Sequence, residues 1–317
     1  MEYKRIEIYV WWTCNQKCTY CMEFPNMDIQ WNKRVTKYEI IKYLIKYKKE
    51  WYNHVTFLWW EPFIQPVFLD ALRLWKKMWY TILVTTNATT LHLEKEAKKY
   101  LPYIDELILS VQAIDKELQQ KISRTNVFVK WNDVFGNIRK YWKWSYFKSN
   151  IVITIDNLPE LYNLVKFSYS NWMNDIAVTY PDIDLEYYWK KHIKSLVAPT
   201  YNESIKEVIK VNDFCNANWI NLKIVDFPFC IFPEDKREEY IHKTDEFDYW
   251  NRIKIWSTSK EKNLFNNVEI NREDVLPRER RLINKCKKCK YNNLCWWPAV
   301  NYKALYWYKE INPIKDE

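Results

Sequence analysis

The sequence predicts an α/β protein whose larger part is a parallel sheet of repeated strand–helix units, followed by a small Cys-rich region. Three observations lead there. Short β-branched runs alternate with amphipathic stretches of helical period up to about residue 228. Beyond that point the alternation gives way to Pro, charge and Cys. Seven of the 8 cysteines also fall into two compact groups, one near each end of the chain.

The strands are expected, in order, at "RIEIYV", "HVTFL", "TILVTTN", "ELILSVQ", "NIVITID", "DIAVTY" and "INLKIVDF". Between the first six lie stretches such as "KYEIIKYLIKYKKE" and "VFLDALRLWKKM", whose apolar residues recur every three or four positions, as one face of a helix requires. Repeated βα units of this kind make a parallel sheet, either open or curled into a barrel. The division falls at residues 1–228 and 229–317, with no long linker, repeat or low-complexity segment.

A chain of 317 residues has length for one large domain and a smaller one. Its formal charge of +9 is spread as Lys mixed with Glu and Asp, the pattern of a solvated surface, so nucleic acid is not the expected partner. No apolar run approaches the roughly 18 residues of a membrane span. The start "MEYKRIEIYVWWTC" lacks the small-residue cleavage pattern of a signal peptide. A cytoplasmic protein without a membrane partner is therefore expected.

One feature of the composition is abnormal. The chain has 1 Gly and 19 Trp, whereas Gly ordinarily makes up about 7% of residues. Several tryptophans stand where a chain turns from helix to strand: Trp79 before "YTILVTTN", Trp172 before "MNDIAVTY", Trp219 before "INLKIVDF". Helices commonly end there in a left-handed residue, usually Gly, and a Cβ carries a penalty in that conformation. The expectation is that many of these tryptophans are glycines in the living protein, its host reading UGA as Gly where the gene is here translated with UGA as Trp. Trp11, Trp12, Trp59, Trp60, Trp79, Trp296, Trp297 and Trp307 are the foremost candidates. The alternative is an aromatic-rich protein whose tryptophans are real.

The first cysteine group, "TCNQKCTYC", holds Cys14, Cys18 and Cys21 in the loop directly after the first strand. Spacings of this kind let a tight loop turn three thiolates towards one inorganic centre. Zinc sites usually take four ligands with paired spacings, so three thiolates without a fourth suit zinc poorly. Three thiolates on a [4Fe–4S] cube leave one iron open to bind a ligand. A disulfide framework is not expected in a cytosolic chain of this size.

Cys14-x3-Cys18-x2-Cys21, with the aromatic Tyr20 before the last Cys and strand one before the loop, resembles the signature of the radical S-adenosylmethionine (SAM) superfamily. Members commonly carry Gly-Gly-Glu-Pro at the end of the second strand, and "FLWWEP" is that motif with Trp59 and Trp60 in the glycine places. The resemblance implies close approach of the SAM methionyl group to the backbone, which only a residue without Cβ permits. Glu61 would place a carboxylate near the ligand's ammonium, and Pro62 would fix the turn.

Weaker matches follow in the same order. "VTTNATT" resembles Thr-Asn-Gly at the end of the third strand, with Ala88 where Gly is usual. "LILSVQAID" resembles a fourth-strand segment that contacts SAM, making Ser110 and Gln112 candidates, and "IVITIDNLPEL" resembles a fifth strand ending in Asn157. The resemblance covers roughly residues 5–228 and implies a partial (β/α)6 TIM-like barrel with the cluster at the C-terminal mouth of its strands.

The second group is Cys286, Cys289 and Cys295, with Cys230 upstream in "DFPFCIFP". It resembles the shortened auxiliary-cluster domain called Twitch, related to the longer SPASM domain. Four thiolates would fill a second [4Fe–4S] cluster, and a structural zinc site with four cysteine ligands is the alternative. Cys215, in the helix-like "IKEVIKVNDFCNAN", reads as a plain buried residue, and the four histidines show no ligand spacing.

The resemblance further implies reductive cleavage of SAM to methionine and a 5′-deoxyadenosyl radical, which abstracts hydrogen from a substrate, with a flavodoxin- or ferredoxin-type reductant as partner. Relatives with such C-terminal regions often modify peptides or proteins, so a peptide is the first expectation for the substrate. The competing classes are a radical SAM enzyme acting on RNA or a small molecule, and a non-catalytic iron–sulfur or zinc protein.

Overall fold

The computed structural model describes residues 4–9, 14–21, 37–57, 61–143, 146–181, 197–243, 252–257, 265–269, 283–295, 298–299 and 302–315. Trp11, Trp12, Trp59, Trp60, Trp296 and Trp297 lie outside them. In chain order the strands are β1 (Arg5–Tyr9), β2 (His54–Phe57), β3 (Thr81–Thr86), β4 (Glu106–Ser110), β5 (Tyr146–Val152), β6 (Asp175–Thr179), β7 (Asn221–Val225), β8 (Arg252–Ser257) and β9 (Phe265–Glu269). The helices are α1 (Lys37–Lys49), α2 (Phe68–Lys77), α3 (Glu94–Tyr100), α4 (Lys116–Ser123), α5 (Trp131–Tyr141), α6 (Leu161–Ser170), α7 (Tyr201–Ala217), α8 (Arg237–Lys243) and α9 (Tyr302–Tyr306). Among the described residues, no helix is long and apolar enough to cross a membrane.

All strands belong to one sheet of order β7-β6-β5-β4-β3-β2-β1-β8-β9. β1 to β7 are parallel and each pairs with its sequence neighbour. This order has no switch point. Right-handed crossovers then put every helix on the same side, so the sheet curls as in a (β/α) barrel rather than being covered on both faces. β7 has β6 as its neighbour and does not close onto β1, which makes the barrel partial.

Two features differ from the sequence expectation. β5 begins at Tyr146 and ends at Val152, so "NIVITID" captured only its tail. The apolar Ile153-Thr154-Ile155 continues past the strand into the loop and masked its end. β8 and β9 were not anticipated. β8 pairs in parallel with β1 and β9 runs antiparallel to β8, so residues beyond the expected division at 228 extend the same sheet.

Alternation along the strands separates two faces. Ile6, Ile8, Val55, Phe57, Ile82, Val84, Leu107 and Leu109 are buried on the helix side, where Phe57 stacks on Trp75 of α2 at 4.1 Å. The opposite, concave face is polar. It carries Arg5, Glu7 and Thr56, all buried, with Lys148 and Asn150 of β5. Arg5 and Glu7 form an ion pair at 3.2 Å on that face.

The helix ends show where the tryptophans stand. α1, α2, α6 and α7 all end in the same 6→1, 5→2 hydrogen-bond pattern, with Trp51, Trp79, Trp172 and Trp219 in the left-handed position. Tyr52 N donates to Tyr47 O at 3.1 Å, Tyr80 N to Trp75 O at 3.1 Å, Met173 N to Ser168 O at 3.1 Å and Ile220 N to Cys215 O at 2.9 Å. The four tryptophans have φ of 67°, 59°, 65° and 56°. All are exposed, Trp79 at 86% and Trp219 at 94%. Trp307 joins them with φ 59° and an exposed side chain.

Trp131 and Trp142 are unlike these. Both are buried and donate Nε1 to Ala113 O at 3.0 Å and Ile104 O at 2.8 Å. Trp75 is also fully buried, though its Nε1 has no hydrogen-bond partner among the described residues. Gly136, the chain's only glycine, lies inside α5 with open space where its Cβ would be.

Trp79→Gly and Trp219→Gly are each expected to stabilise the chain by about 1 kcal/mol, because a left-handed Cβ penalty is removed and almost no burial is lost. Trp142→Ala is expected to destabilise it by about 3–5 kcal/mol. Gly136→Ala should stabilise by roughly 0.5–1 kcal/mol. Urea denaturation of the four variants checks all three statements.

Candidate functional site

Because β1 to β7 are parallel, their C-terminal ends share one edge, and most of the expected site residues gather there. The Cys14–Cys21 loop follows β1 and docks on the C-terminal end of α4. Lys17 N donates to Ser123 O at 2.8 Å and Thr19 N to Ile122 O at 2.9 Å. Arg124, left-handed at φ 51°, adds a bond from its Nε to Lys17 O at 2.7 Å. Carbonyls that a helix end leaves without intrahelical partners thereby hold the loop.

The three cysteines form no disulfide among the described residues and are partly buried. Burial pushes the Cys14 thiol well up, and Cys18, Glu61 and Cys21 add to the effect. Burial, then the neighbouring Cys21, pushes Cys18 up to about 12, against a hydrogen bond from the Tyr20 hydroxyl and the nearby Arg124 charge. Three thiolates this close need a cation. Cys14 Sγ also accepts from Gln16 N at 3.4 Å and faces Asn87 Nδ2 at 3.7 Å, donors that would favour its thiolate form. The donor set fits an iron–sulfur cluster, for which thiolates are the usual ligands. Among the described residues, no three His, Cys, Asp or Glu side chains are gathered closely enough to hold a single metal ion.

Glu61 follows β2 and is fully buried. Its carboxylate accepts from Phe63 N at 3.3 Å, Thr86 Oγ1 at 2.7 Å and Asn87 N at 2.8 Å, tying the end of β2 to the end of β3. Burial outweighs these bonds and raises the carboxyl to about 7. Pro62 begins a short 3-10 turn capped by the same carboxylate. Ala88 lies at φ 62° and is buried, which is the conformation its "Thr-Asn-Gly" position predicts for Gly.

Ser110 ends β4 opposite Asn150 of β5, on the polar concave face. Gln112 and Asn157 have their amides engaged by backbone. Gln112 Nε2 donates to Asn150 O at 3.2 Å and its Oε1 accepts from Val152 N at 2.9 Å. Asn157 Oδ1 accepts from Thr154 N at 2.7 Å, and its Nδ2 donates to Gln112 O at 3.2 Å and Val152 O at 3.0 Å. Both residues thus seal the ends of β4 and β5.

The second cysteine group also comes together. Cys230 lies in a 3-10 turn, and Phe229 N beside it donates to Cys295 Sγ at 3.5 Å. Burial, then Cys230 and Cys289, pushes Cys286 up to about 11. Burial raises Cys230 as well, with Cys289 contributing. Cys215 is fully buried within α7.

Sequence reasoning missed Asn15, Thr86, Thr89 and Arg124, and flagged "VTTNATT" without giving Asn87 a role. For Asn15, Asn87 and Thr89 the available signal was position: polar residues in the loops just beyond the C-terminal ends of strands face the mouth of such a sheet.

The profile of the Radical SAM superfamily matches residues 9–167. No curated protein matches. Among solved structures, the chain is similar to Streptococcus suis SuiB at 17% identity, covering 99% of this chain and 76% of that one with a TM-score of 0.64. It resembles SuiB bound to its precursor peptide SuiA at 15% identity, with 99% and 75% covered and a TM-score of 0.63. AdoMet-bound anSMEcpe is 16% identical, with 96% and 95% covered and a TM-score of 0.60. At these identities the likeness is one of fold.

Glu61→Gln replaces an acceptor with a donor that faces other donors, and is expected to destabilise the chain by about 1–3 kcal/mol. Because the folded carboxyl titrates near 7 against an ordinary 4.5, the folded state holds a proton that the unfolded state releases. Stability from this group is present below about pH 4.5, is lost as pH rises to about 7, and is flat above that. Urea titrations across this window should show the decline in the parent and its absence in Glu61→Gln.

Proposed function

The chain belongs to the radical SAM superfamily, and on that premise we propose that it is an enzyme that modifies a peptide or protein by hydrogen abstraction, with Cys14, Cys18 and Cys21 holding a [4Fe–4S] cluster. The observation that carries this is the loop of three mutually perturbing thiols docked at the C-terminal edge of the sheet, beside the ends of β2 and β3.

The cluster and SAM together supply a one-electron reduction and a carbon-centred hydrogen abstractor, chemistry that belongs to the cofactors. The chain's part is to bind, orient and exclude water. Tyr20 holds the Cys18 sulfur through its hydroxyl. Ser110 and Asn150 present polar groups on the concave face. Gln112 and Asn157 close the strand ends that would line a SAM site. A flavodoxin- or ferredoxin-type protein is the proposed electron donor. A peptide substrate is favoured by fold neighbours solved with peptides, SuiB with SuiA and anSMEcpe with Cp18Cys peptide. Cys230, Cys286, Cys289 and Cys295 are proposed to hold a second [4Fe–4S] cluster.

The identity of the tryptophans belongs to the same proposal. Five of those described occupy left-handed backbone and expose their indoles, an arrangement that favours Gly at each. Trp59 and Trp60 precede Glu61 in a motif whose relatives carry Gly where SAM approaches the backbone, a place that a residue without Cβ suits. Both are proposed to be Gly in the living protein.

Tandem mass spectrometry of the native protein is expected to read Gly-Gly-Glu-Pro at residues 59–62; Trp-Trp-Glu-Pro would overturn the recoding. Expressed as written, the chain should bind its first cluster poorly and cleave SAM hardly at all. The W59G/W60G chain should yield methionine from SAM under reducing conditions, and equal cleavage by both forms would refute the block. Cys286→Ala with Cys289→Ala should lower the iron content of the reconstituted W59G/W60G chain by about half.

A further inference from the structure

We propose that Asn15, Asn87 and Thr89 form a closed ring of hydrogen bonds that positions the Cys14–Cys21 loop and aims an N–H at the Cys14 sulfur. The bonds run in one sense around the ring. Asn15 Nδ2 donates to Thr89 Oγ1 at 2.7 Å, Thr89 Oγ1 donates to Asn87 Oδ1 at 2.6 Å, and Asn87 Nδ2 donates to Asn15 Oδ1 at 3.0 Å. Asn15 lies in the cysteine loop, whereas Asn87 and Thr89 follow β3. The ring therefore joins two segments more than 70 residues apart in sequence.

Its direction is fixed by the backbone. Thr89 N, which can only donate, gives its hydrogen to Asn87 Oδ1 at 3.0 Å. The Asn87 amide cannot flip without setting its NH2 against that donor, so Nδ2 must face Asn15 and the Cys14 sulfur, 3.7 Å away. The main chain of the same residue is held as firmly. Asn87 N donates to Glu61 Oε2 at 2.8 Å, and Ala88 N beyond it donates to Thr86 Oγ1 at 2.9 Å, the hydroxyl that itself bonds Glu61.

Asn87 thus stands between the Glu61 carboxyl and the Cys14 sulfur, with an N–H towards each. Glu61 raises the Cys14 thiol. One N–H of Asn87 satisfies the carboxylate and another faces the sulfur. Hydrogen bonds to ligand sulfurs stabilise the more negative, reduced state of an iron–sulfur centre and raise its potential. Asn87 is a positioning residue in this sense, and Asn15 and Thr89 hold it in place. This rests on the cluster assignment above only for its electronic part; the ring itself belongs to the chain.

The test has two independent readouts. In the full chain without iron, exchange of the Lys17 and Thr19 amides reports how firmly the loop is docked. Asn15→Ala, Asn87→Ala and Thr89→Ala are each expected to speed exchange about tenfold, and Asn15→Ala with Thr89→Ala no more than either alone. Singly unchanged rates, or a double effect equal to the product of the singles, would overturn the ring.

The second readout is an EPR redox titration of the W59G/W60G chain reconstituted with iron and sulfide. Asn87→Asp keeps the acceptor for Thr89 and removes the donor; Asn87→Ala removes the donor without adding charge. Each should lower the reduced-to-oxidised ratio at fixed potential about tenfold, 59 mV for a one-electron couple. Thr89→Ser should keep the parent value. An unshifted potential in both Asn87 variants would overturn the N–H to sulfur contact. Failure of the parent chain to take up iron would instead defeat the cluster assignment and leave the ring to be decided by exchange.

Discussion

A parallel sheet depends on the chain reversing tightly at the end of each helix, and that reversal requires a residue with left-handed backbone. Here the requirement recurs at Trp51, Trp79, Trp172 and Trp219, which lead into β2, β3, β6 and β7. At each one the next residue's N–H reaches back to a carbonyl in the last turn of the helix. If any of these turns opened, the following strand would lose its register, and for β2, β3 and β6, which have parallel neighbours on both sides, a slip in one strand would pass to the next. The side chain contributes little to this: the indoles are exposed, and that of Trp172 meets Arg139 at 5.2 Å. A residue whose backbone is essential and whose side chain is idle, or worse, is what glycine supplies.

The turns set the sheet, and the sheet sorts its residues by face. Apolar side chains meet the helices, while the concave side keeps Arg5, Glu7, Thr56 and Lys148 buried and in part ion-paired. Such a surface has no use as a dry core. It can surround a polar cofactor and substrate, and it opens at the edge where the strands end. The same edge collects the thiol loop, Glu61, Asn87 and Ser110, contributed by the ends of four successive strands.

At that edge, like charges are held apart by amides. Burial raises both the Cys14 thiol and the Glu61 carboxyl, and the Glu61 charge adds to the effect on Cys14. Main-chain and side-chain N–H groups of Asn87 lie between them. Preorganised donors of this sort act without reorganisation, and in a site shielded from water each is worth more than it would be at the surface.

Much of this was legible in the sequence. Short apolar runs in "TILVTTN" and "ELILSVQ" located β3 and β4, and helical spacing located α1 and α2. Cysteine spacing identified the first thiol group without any knowledge of what surrounds it, because three ligands of one loop are a local property. The excess of tryptophan over glycine, and its place at helix ends, also needed only the chain, since left-handed caps are local as well.

What the sequence left undecided is non-local. β8 lies beside β1 although nearly 250 residues separate them, and no period in "RIKIWS" announces that neighbour. The tail of β5 was misplaced because "IVITID" stays apolar after pairing ends, and only the partner strands decide where pairing ends. Asn15 and Thr89 are ordinary polar residues until folding brings them within 2.7 Å. The sequence by itself determined the helix–strand rhythm, the thiol spacing and the helix ends where a left-handed residue leads into the next strand, all fixed within a few residues of backbone. The tertiary structure alone decided which strand ends meet at the mouth, and hence that a carboxylate, an amide and a thiol share one site. That outcome depends on contacts across the sheet, where burial and hydrogen-bond satisfaction outweigh any local preference.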